Sequence, residues 1–299
     1  MSNEGATYLG VSNDGIEEKY TWIWSKTLAA RVAVSSAVMA EYEEGVRAHN
    51  TDPETHDRPS EPSPAVFSAV VRIDEDCPYL RSDSGWRPGG YSTFAKSKQS
   101  FIGRRTQYDL FRDDYSYTMD NLIALYQKDC KRELKKSKGV FVPQGEDAEG
   151  LKFRNTLFTR VGERKESDKL TKNNPEAPLT IDYWPTHSDD CTRELEILKA
   201  NYVVNHLRAY NISGNLIFPT EYRKELEGAT CAIYFTLKHW SYNDDSIAAD
   251  VTSISVLQAA YRRGPTPSPK RAISLKDPFS PKKRTKRDDI NHEESKPDE

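Results

Sequence analysis

At 299 residues the chain is long enough for one large domain or two ordinary ones with a real core. Apolar residues make up only 36% of it and charged residues 30%, so part of the chain lies outside any core. The formal net charge of −3 excludes wholesale attraction to a polyanion and confines any such affinity to local patches.

Residues 1–20 carry Gly5, Gly10 and Gly15 among acids and read as a flexible lead or a first short strand, without a basic region followed by an apolar one that would mark secretion. From Trp22 to Val46 apolar residues recur at near-helical spacing amid alanines, which predicts an amphipathic helix. Pro53, Pro59, Pro62 and Pro64 then mark a linker, so residues 1–64 are expected to form an N-terminal segment distinct from a globular body at 65–261. Val66–Ile73 is β-branched and apolar and predicts a buried strand. A glycine-rich turn follows at Gly85–Gly90, then a stretch from Phe94 to Phe111 in which aromatics and cations interleave.

Leu122–Leu134 has helical periodicity, with cations suited to the negative end of a helix dipole and Gly139 as its stop. Val140–Val142, Leu157–Val161 and Leu179–Trp184 are strand candidates. Tyr202–Tyr210 fits a strand or the end of a helix begun near Thr192, Asn211–Asn215 is a turn, and Pro219–Leu226 is a short helix ended by Gly228. Thr230–Trp240 and Ala248–Leu257 read as two strands of a hairpin whose loop is Asn243–Asp245. No apolar run approaches the roughly 18 residues of a membrane span. Cys77, Cys130, Cys191 and Cys231 are too far apart for a zinc or disulfide framework and read as reduced structural thiols.

Four constellations carry chemistry. The tail from Arg262 to Arg287 holds ten Lys or Arg against the single Asp277, and Asp288–Glu299 holds six acids against Lys296, which predicts a disordered, solvated extension over 262–299. Lys282, Lys283, Arg284, Lys286 and Arg287, with Lys270 and Arg271 upstream, have the density of a nuclear import signal read by an import receptor. Ser268 and Ser280 each precede a proline with a base two residues later, a pattern for proline-directed phosphorylation, and phosphate would oppose the neighbouring cations. The second constellation is Lys96, Lys98, Arg104, Arg105 and Arg112 with Phe94, Phe101, Tyr108 and Phe111, which combines cations for phosphate with rings for bases. The alternative is that the rings face a core and the cations cover its rim. The third is the helix face Lys128, Lys131, Arg132, Lys135 and Lys136, either tracking a phosphate backbone or merely solvated.

Alternation across Thr230–Trp240 gives the fourth: Tyr234, Thr236, Lys238 and Trp240 share one face, while Cys231, Ile233, Phe235, Leu237 and His239 share the better core face. In its ingredients the first face, over residues 201–257, resembles the binding surface of an oligonucleotide-binding (OB) barrel. Enzyme signatures are missing, the six histidines have no ligand spacing, and no metal or other cofactor is implied. The carboxylates Asp182, Asp189, Asp190, Glu194 and Glu196 near Lys199 read as a helix start with surface acids, with a Mg²⁺ nuclease as the remote alternative.

The expected fold is therefore α+β: helices in the N-terminal half, a small curled antiparallel sheet or OB-like barrel in the C-terminal half, and the tail. The expected function is non-catalytic nucleic-acid binding in the nucleus, with single-stranded DNA among the ligands. Its competitor is a nuclear interaction module that meets a protein partner.

Overall fold

The computed structural model describes residues 5–130, 138–144, 147–163, 174–241 and 245–260. In chain order the elements of the first half are β1 (Thr7–Tyr8), β2 (Tyr20–Ser25), β3 (Ala30–Ser35), α1 (Ser36–Thr51), β4 (Val66–Ile73), β5 (Lys98–Arg104) and α2 (Asp114–Asp129). They are followed by β6 (Lys138–Gly139), β7 (Phe141–Gln144), β8 (Asp147–Thr156), β9 (Phe158–Arg160), α3 (Asp189–Leu198), β10 (Tyr202–Val204), β11 (Ala209–Tyr210), α4 (Tyr222–Leu226), β12 (Thr230–Ser241) and β13 (Asp245–Gln258). The import and phosphorylation residues of the tail, and the expectation of its disorder, lie outside the described residues, as do Lys131, Arg132, Lys135 and Lys136.

The long sheet runs β4-β5-β8-β13-β12, and β12 returns to pair with β4, so these five strands close on themselves. The closing seam is antiparallel and continuous from Thr230↔Arg72 to Thr236↔Val66, whereas β8 and β13 run parallel at Phe153↔Ala249 and Arg154↔Asp250. A five-stranded closed barrel with one parallel pairing is the OB architecture. It draws on residues 66–258, so the expectation of a barrel confined to the C-terminal half and antiparallel throughout is corrected. The predicted hairpin at 230–257 supplies only the last two staves, because the other three come from the first half of the body.

Alternation explains the interior. Phe67, Phe101, Phe153 and Phe235, one each from β4, β5, β8 and β12, are buried and touch in series, with ring centroids 5.5 Å apart for Phe101–Phe153, 5.3 Å for Phe153–Phe235 and 6.2 Å for Phe67–Phe235. Cys231, Ile233, Phe235, Leu237 and His239 are buried while Tyr234, Thr236, Lys238 and Trp240 are half-buried, as the period-two reading of β12 requires. All four cysteines are free and buried, and burial pushes the Cys77 thiol up to about 11, which keeps it protonated and inert.

The predicted helix over Trp22–Val46 is a hairpin followed by a helix. Tyr20 and Trp22 alternate inward, the chain turns at Ala29 (φ 47°), and Ala30, Val32, Ala33 and Val34 are all buried, which suits a strand covered on both faces. Only Ser36–Thr51 is helical, and none of its residues is buried. β3 pairs with β12 through Lys238↔Val32 and His239↔Arg31, and Leu9, Ile16, Tyr20 and Trp22 pack in the same core as Phe67 and Phe235. Residues 1–64 thus do not stand apart from the body. Leu179–Trp184 is not a strand: Pro178 opens a 3-10 turn at Ala177–Leu179, and Ile181 and Trp184 drop into a second apolar cluster with Phe94, Phe158 and Leu195. α2 begins at Asp114 and ends at Asp129, earlier than the periodicity indicated, with Cys130 turning extended (φ −95°, ψ 127°) and the Asp129 carboxylate held by Arg31 (2.7 Å) and by buried His239 (2.6 Å).

Gly103 is the tightest point of the barrel: a Cβ there would lie 2.6 Å from Val71 Cγ2 and 2.9 Å from Phe153 Cε2. Gly103→Val is expected to lower stability by about 1–3 kcal/mol through overpacking, read as a fall in the urea midpoint with an unchanged slope.

Candidate nucleic-acid interface

On the outside of the barrel, a groove of about 1370 Å³ lies between the β4–β5 connection and the walls of β5 and β8. In an OB barrel this is the position of the ligand-binding face, formed by the second and third strands and the loop between the first two. The loop is held rigid from beneath. Asp83 is buried and accepts hydrogen bonds from Gly85 N (3.1 Å) and His187 N (2.9 Å), while Gln99 Nε2 donates to Arg81 O (2.8 Å) and Trp184 Nε1 to Ser82 O (2.8 Å). Ser84 (φ 52°) and Gly85 (φ 61°) are both left-handed; a Cβ at Gly85 would also meet Pro78 O at 2.9 Å, so glycine is required there.

That turn presents Trp86, Arg87 and Tyr91 to the groove, with Tyr79 and Arg81 ahead of it. Tyr91 is fully exposed and Tyr79 is 55% exposed. The indole of Trp86 is fixed by donation to Ser92 O (2.8 Å) and by packing on Phe94, with centroids 5.3 Å apart. Opposite these rings stand Lys96, Lys98, Lys152 and Arg154.

The register shows how the cations come together. Ser100 faces Arg154, Arg154 faces Asp250 and Asp250 faces Thr236, a row running across β5, β8, β13 and β12. Asp250 binds Arg154 Nε at 2.5 Å and Lys238 Nζ at 2.6 Å, and the three side chains are between 15% and 19% exposed. The Arg154 guanidinium also lies over the Trp240 ring, 4.7 Å from its centroid. Lys98 reaches solvent, yet burial first and Arg154 second hold its ammonium below the ordinary lysine range; Lys238 and Lys152 add to this and Asp250 opposes it. Lys98, Lys152, Arg154 and Lys238 thus cluster around Asp250 on a chain whose net charge is −3, while the carboxylates that line the groove itself are Asp83, buried and bound to backbone N–H groups, and Asp190, paired with Arg193.

The predicted interface residues divide accordingly. Lys96 and Lys98 line the groove, and Lys238 adjoins it through Asp250. Trp240 supports Arg154 and anchors the β2–β3 turn by donating to Ala29 O (3.1 Å), so its ring face is occupied by a guanidinium. Tyr234 shares that outer face but lies further along β12, opposite Ser253. Arg104 is at the far end of β5, about 20 Å from Lys98 at strand rise, and pairs with Asp74 at 2.9 Å. Arg105 is bound to Asp113 (2.9 Å) and Arg112 to Asp109. Phe94 and Phe101 are core residues, while Tyr108 and Phe111 pack on each other at 5.8 Å. Lys128 is a clamp between elements, donating to the carbonyls of Glu17 and Tyr20.

Sequence reading missed Tyr79, Arg81, Trp86, Arg87, Tyr91, Lys152 and Arg154. The first five carry the same aromatic-cation interleaving as 94–112, hidden by reading Gly85–Gly90 only as a turn. The carboxylates at 182–199 do not converge: Ser188 caps α3 by accepting from Cys191 N (3.2 Å), Asp190 pairs with Arg193 and Glu196 with Lys199. Among the described residues no group of His, Cys, Asp and Glu is placed to hold a metal ion, and no helix is long and apolar enough to cross a membrane.

Barrel, loop and groove define an OB-type domain with a basic, aromatic-rimmed outer face. Among solved structures the chain is similar to gp2.5, a single-stranded DNA-binding protein encoded by bacteriophage T7, with a TM-score of 0.36 and 9% identity over 66% of this chain and 93% of that one. It is also similar to the single-stranded DNA-binding protein from bacteriophage Enc34 in complex with single-stranded DNA (TM-score 0.31, 13% identity, 65% of this chain and 86% of that one) and without it (TM-score 0.30, 13% identity, 66% and 83%). No family model and no curated protein matches the chain. Scores at this level decide neither fold nor ligand; the closed strand order carries the fold assignment.

Asp250→Asn would leave Arg154 and Lys238 partly buried without their carboxylate. The expected loss is about 1–3 kcal/mol of stability in urea unfolding, and the Lys98 titration should move further down, since Asp250 is what raises it.

Proposed function

We propose that the chain binds single-stranded DNA, without catalysis, in the groove between the β4–β5 loop and the outer wall of β5 and β8. The observation that carries this reading is the pairing of rings with cations across one groove: Tyr79, Trp86 and Tyr91 on the loop side, Lys96, Lys98 and Lys152 on the strand side. A strand with unpaired bases needs both sets, flat faces for stacking and cations for phosphate, whereas a duplex hides its base faces. Single-stranded DNA is therefore the ligand to test first.

In fluorescence anisotropy with a thymidine oligonucleotide, Trp86→Ala and Tyr91→Ala are each expected to weaken binding by roughly 5- to 150-fold, equivalent to about 1–3 kcal/mol per stacked base. Lys152→Glu should weaken it and flatten the salt dependence. With six groove cations engaged, the log–log salt slope is expected near about −4. Arg104→Ala, Arg105→Ala and Arg112→Ala should leave affinity unchanged. An RNA oligonucleotide of the same sequence separates DNA preference from general single-strand binding, and insensitivity to all the groove variants would overturn the assignment.

The tail enters as an address. We propose that Lys282–Arg287, with Lys270 and Arg271, directs the protein to the nucleus through an import receptor, and that phosphorylation of Ser268 and Ser280 weakens that signal by adding negative charge beside it. A double Ser→Ala variant is expected to be more nuclear than a double Ser→Glu variant; identical nuclear fractions would remove phosphorylation from the account. A protein partner is favoured by one separate observation, that α1 has sixteen residues and buries none of them. Binding through α1 should be insensitive to the groove substitutions and depend weakly on salt.

A further inference from the structure

A second concavity, of about 460 Å³, opens on the same outer wall of the barrel. β13 connects the two. Ala248 lines the groove, Thr252 and Ser253 line the second cavity, and Asp250 lies between them in sequence. Four residues of strand span about 13 Å, and the Arg154–Asp250–Lys238 row lies within that stretch.

The cavity has its own shaping feature. Tyr234 pairs with Ser253 and Phe235 with Val251, so Thr252 is the extra residue of a β-bulge and joins Ser253 in the cavity wall. Bulges re-aim side chains and recur beside functional sites. The Thr252 hydroxyl has no hydrogen-bond partner among the described residues.

The remaining walls divide by chemistry. Val66, Leu179 and Leu216 give apolar surface, and Tyr210 adds a half-buried ring. Arg208 is exposed and makes no ion pair among the described residues. His206 stands beside it; burial, then Arg208, hold the imidazole below its ordinary range against the pull of Glu176, so at neutral pH it is an uncharged hydrogen-bonding group. The Glu176 carboxylate also lies at the wall, exposed to solvent; the Arg208 guanidinium, the Tyr210 ring, the apolar walls and the polar edges of His206, Thr252 and Ser253 match the parts of a single nucleotide.

We infer that the second cavity takes one nucleotide of the strand lying in the groove, its phosphate on Arg208 and its base against Tyr210. This rests on the groove binding single-stranded DNA, and the test separates the two. Wild type, Arg208→Ala and Lys152→Glu are titrated with thymidine oligonucleotides of about 4 and about 16 nucleotides, the span of OB-fold site sizes. Arg208→Ala should weaken the long oligonucleotide at least about fivefold, as loss of one charged contact implies, and leave the short one unchanged. Lys152→Glu should weaken both. An unchanged thermal midpoint for Arg208→Ala excludes unfolding as the cause, and photocrosslinking of a 5-iodouracil-substituted long oligonucleotide to Tyr210 gives a second readout.

If Arg208→Ala binds both lengths like wild type while Lys152→Glu weakens both, the cavity inference falls and the groove stands. If neither variant changes either length, both fall. Thymidine monophosphate that binds wild type but not Arg208→Ala, without competing with the long oligonucleotide, would make the cavity a free-nucleotide site and overturn its place on the strand path.

Discussion

The seam between β12 and β4 is the constraint on which everything else depends. Without it the strands would form an open sheet, and the buried face of β12 would need a separate layer to cover it. With it, each of the five staves has one face committed to an interior too narrow for anything but side chains, and the four phenylalanines fill that interior in contact. Any ligand must then use the outer wall or the loops at the rim. The parallel pairing of β8 with β13 places Arg154 beside Asp250 on that wall, so closure also determines which charges meet.

Those charges would not hold a positive surface by number alone. The chain carries 43 basic and 46 acidic side chains, and an even distribution would give no field worth the name. Many surface cations cancel against near neighbours: Arg112 with Asp109, Arg193 with Asp190 and Lys199 with Glu196 are all three residues apart in sequence. The groove differs because its cations come from separate strands and the loop, its own carboxylates are taken up elsewhere, Asp83 by backbone N–H groups and Asp190 by Arg193, and the adjoining Asp250 is shared between two cations. A shared carboxylate fixes the direction of Arg154 and Lys238 while leaving an excess of positive charge, which is the condition for orienting a polyanion without collapsing onto an internal anion.

How much of this could be read from the sequence follows from the range of each interaction. The two faces of β12 were legible because alternation is local, and Val66–Ile73 was legible because its apolar run is bounded by proline and acid. The hairpin at Tyr20–Ser35 was not, since Val32, Ala33 and Val34 are all buried and a strand covered on both sides loses its alternation and can pass for a helix. The barrel itself was hidden by distance, as β4 and β12 are separated by more than 150 residues. For the same reason the basic cluster of 94–112 was read as one patch, although β5 carries its two ends in opposite directions.

The aromatics hold a distinction that the sequence already contained. Phenylalanine has no polar atom, so the barrel interior costs it nothing, and Phe67, Phe101, Phe153 and Phe235 are all there. Tyrosine and tryptophan carry a hydroxyl or an N–H that needs water or a partner, which suits positions with one wet end. Trp86 meets that need through Ser92 O, and Tyr79 and Tyr91 reach solvent. Weighting the rings in this way moves attention from Phe94 and Phe101 to the Tyr79–Tyr91 loop. A tyrosine or tryptophan enters the core only where its polar atom finds a partner there, as Trp22 does at Leu125 O, Trp184 at Ser82 O and Tyr222 at Leu207 O, and a ring without such a partner, as at Tyr79 and Tyr91, stays available to a base.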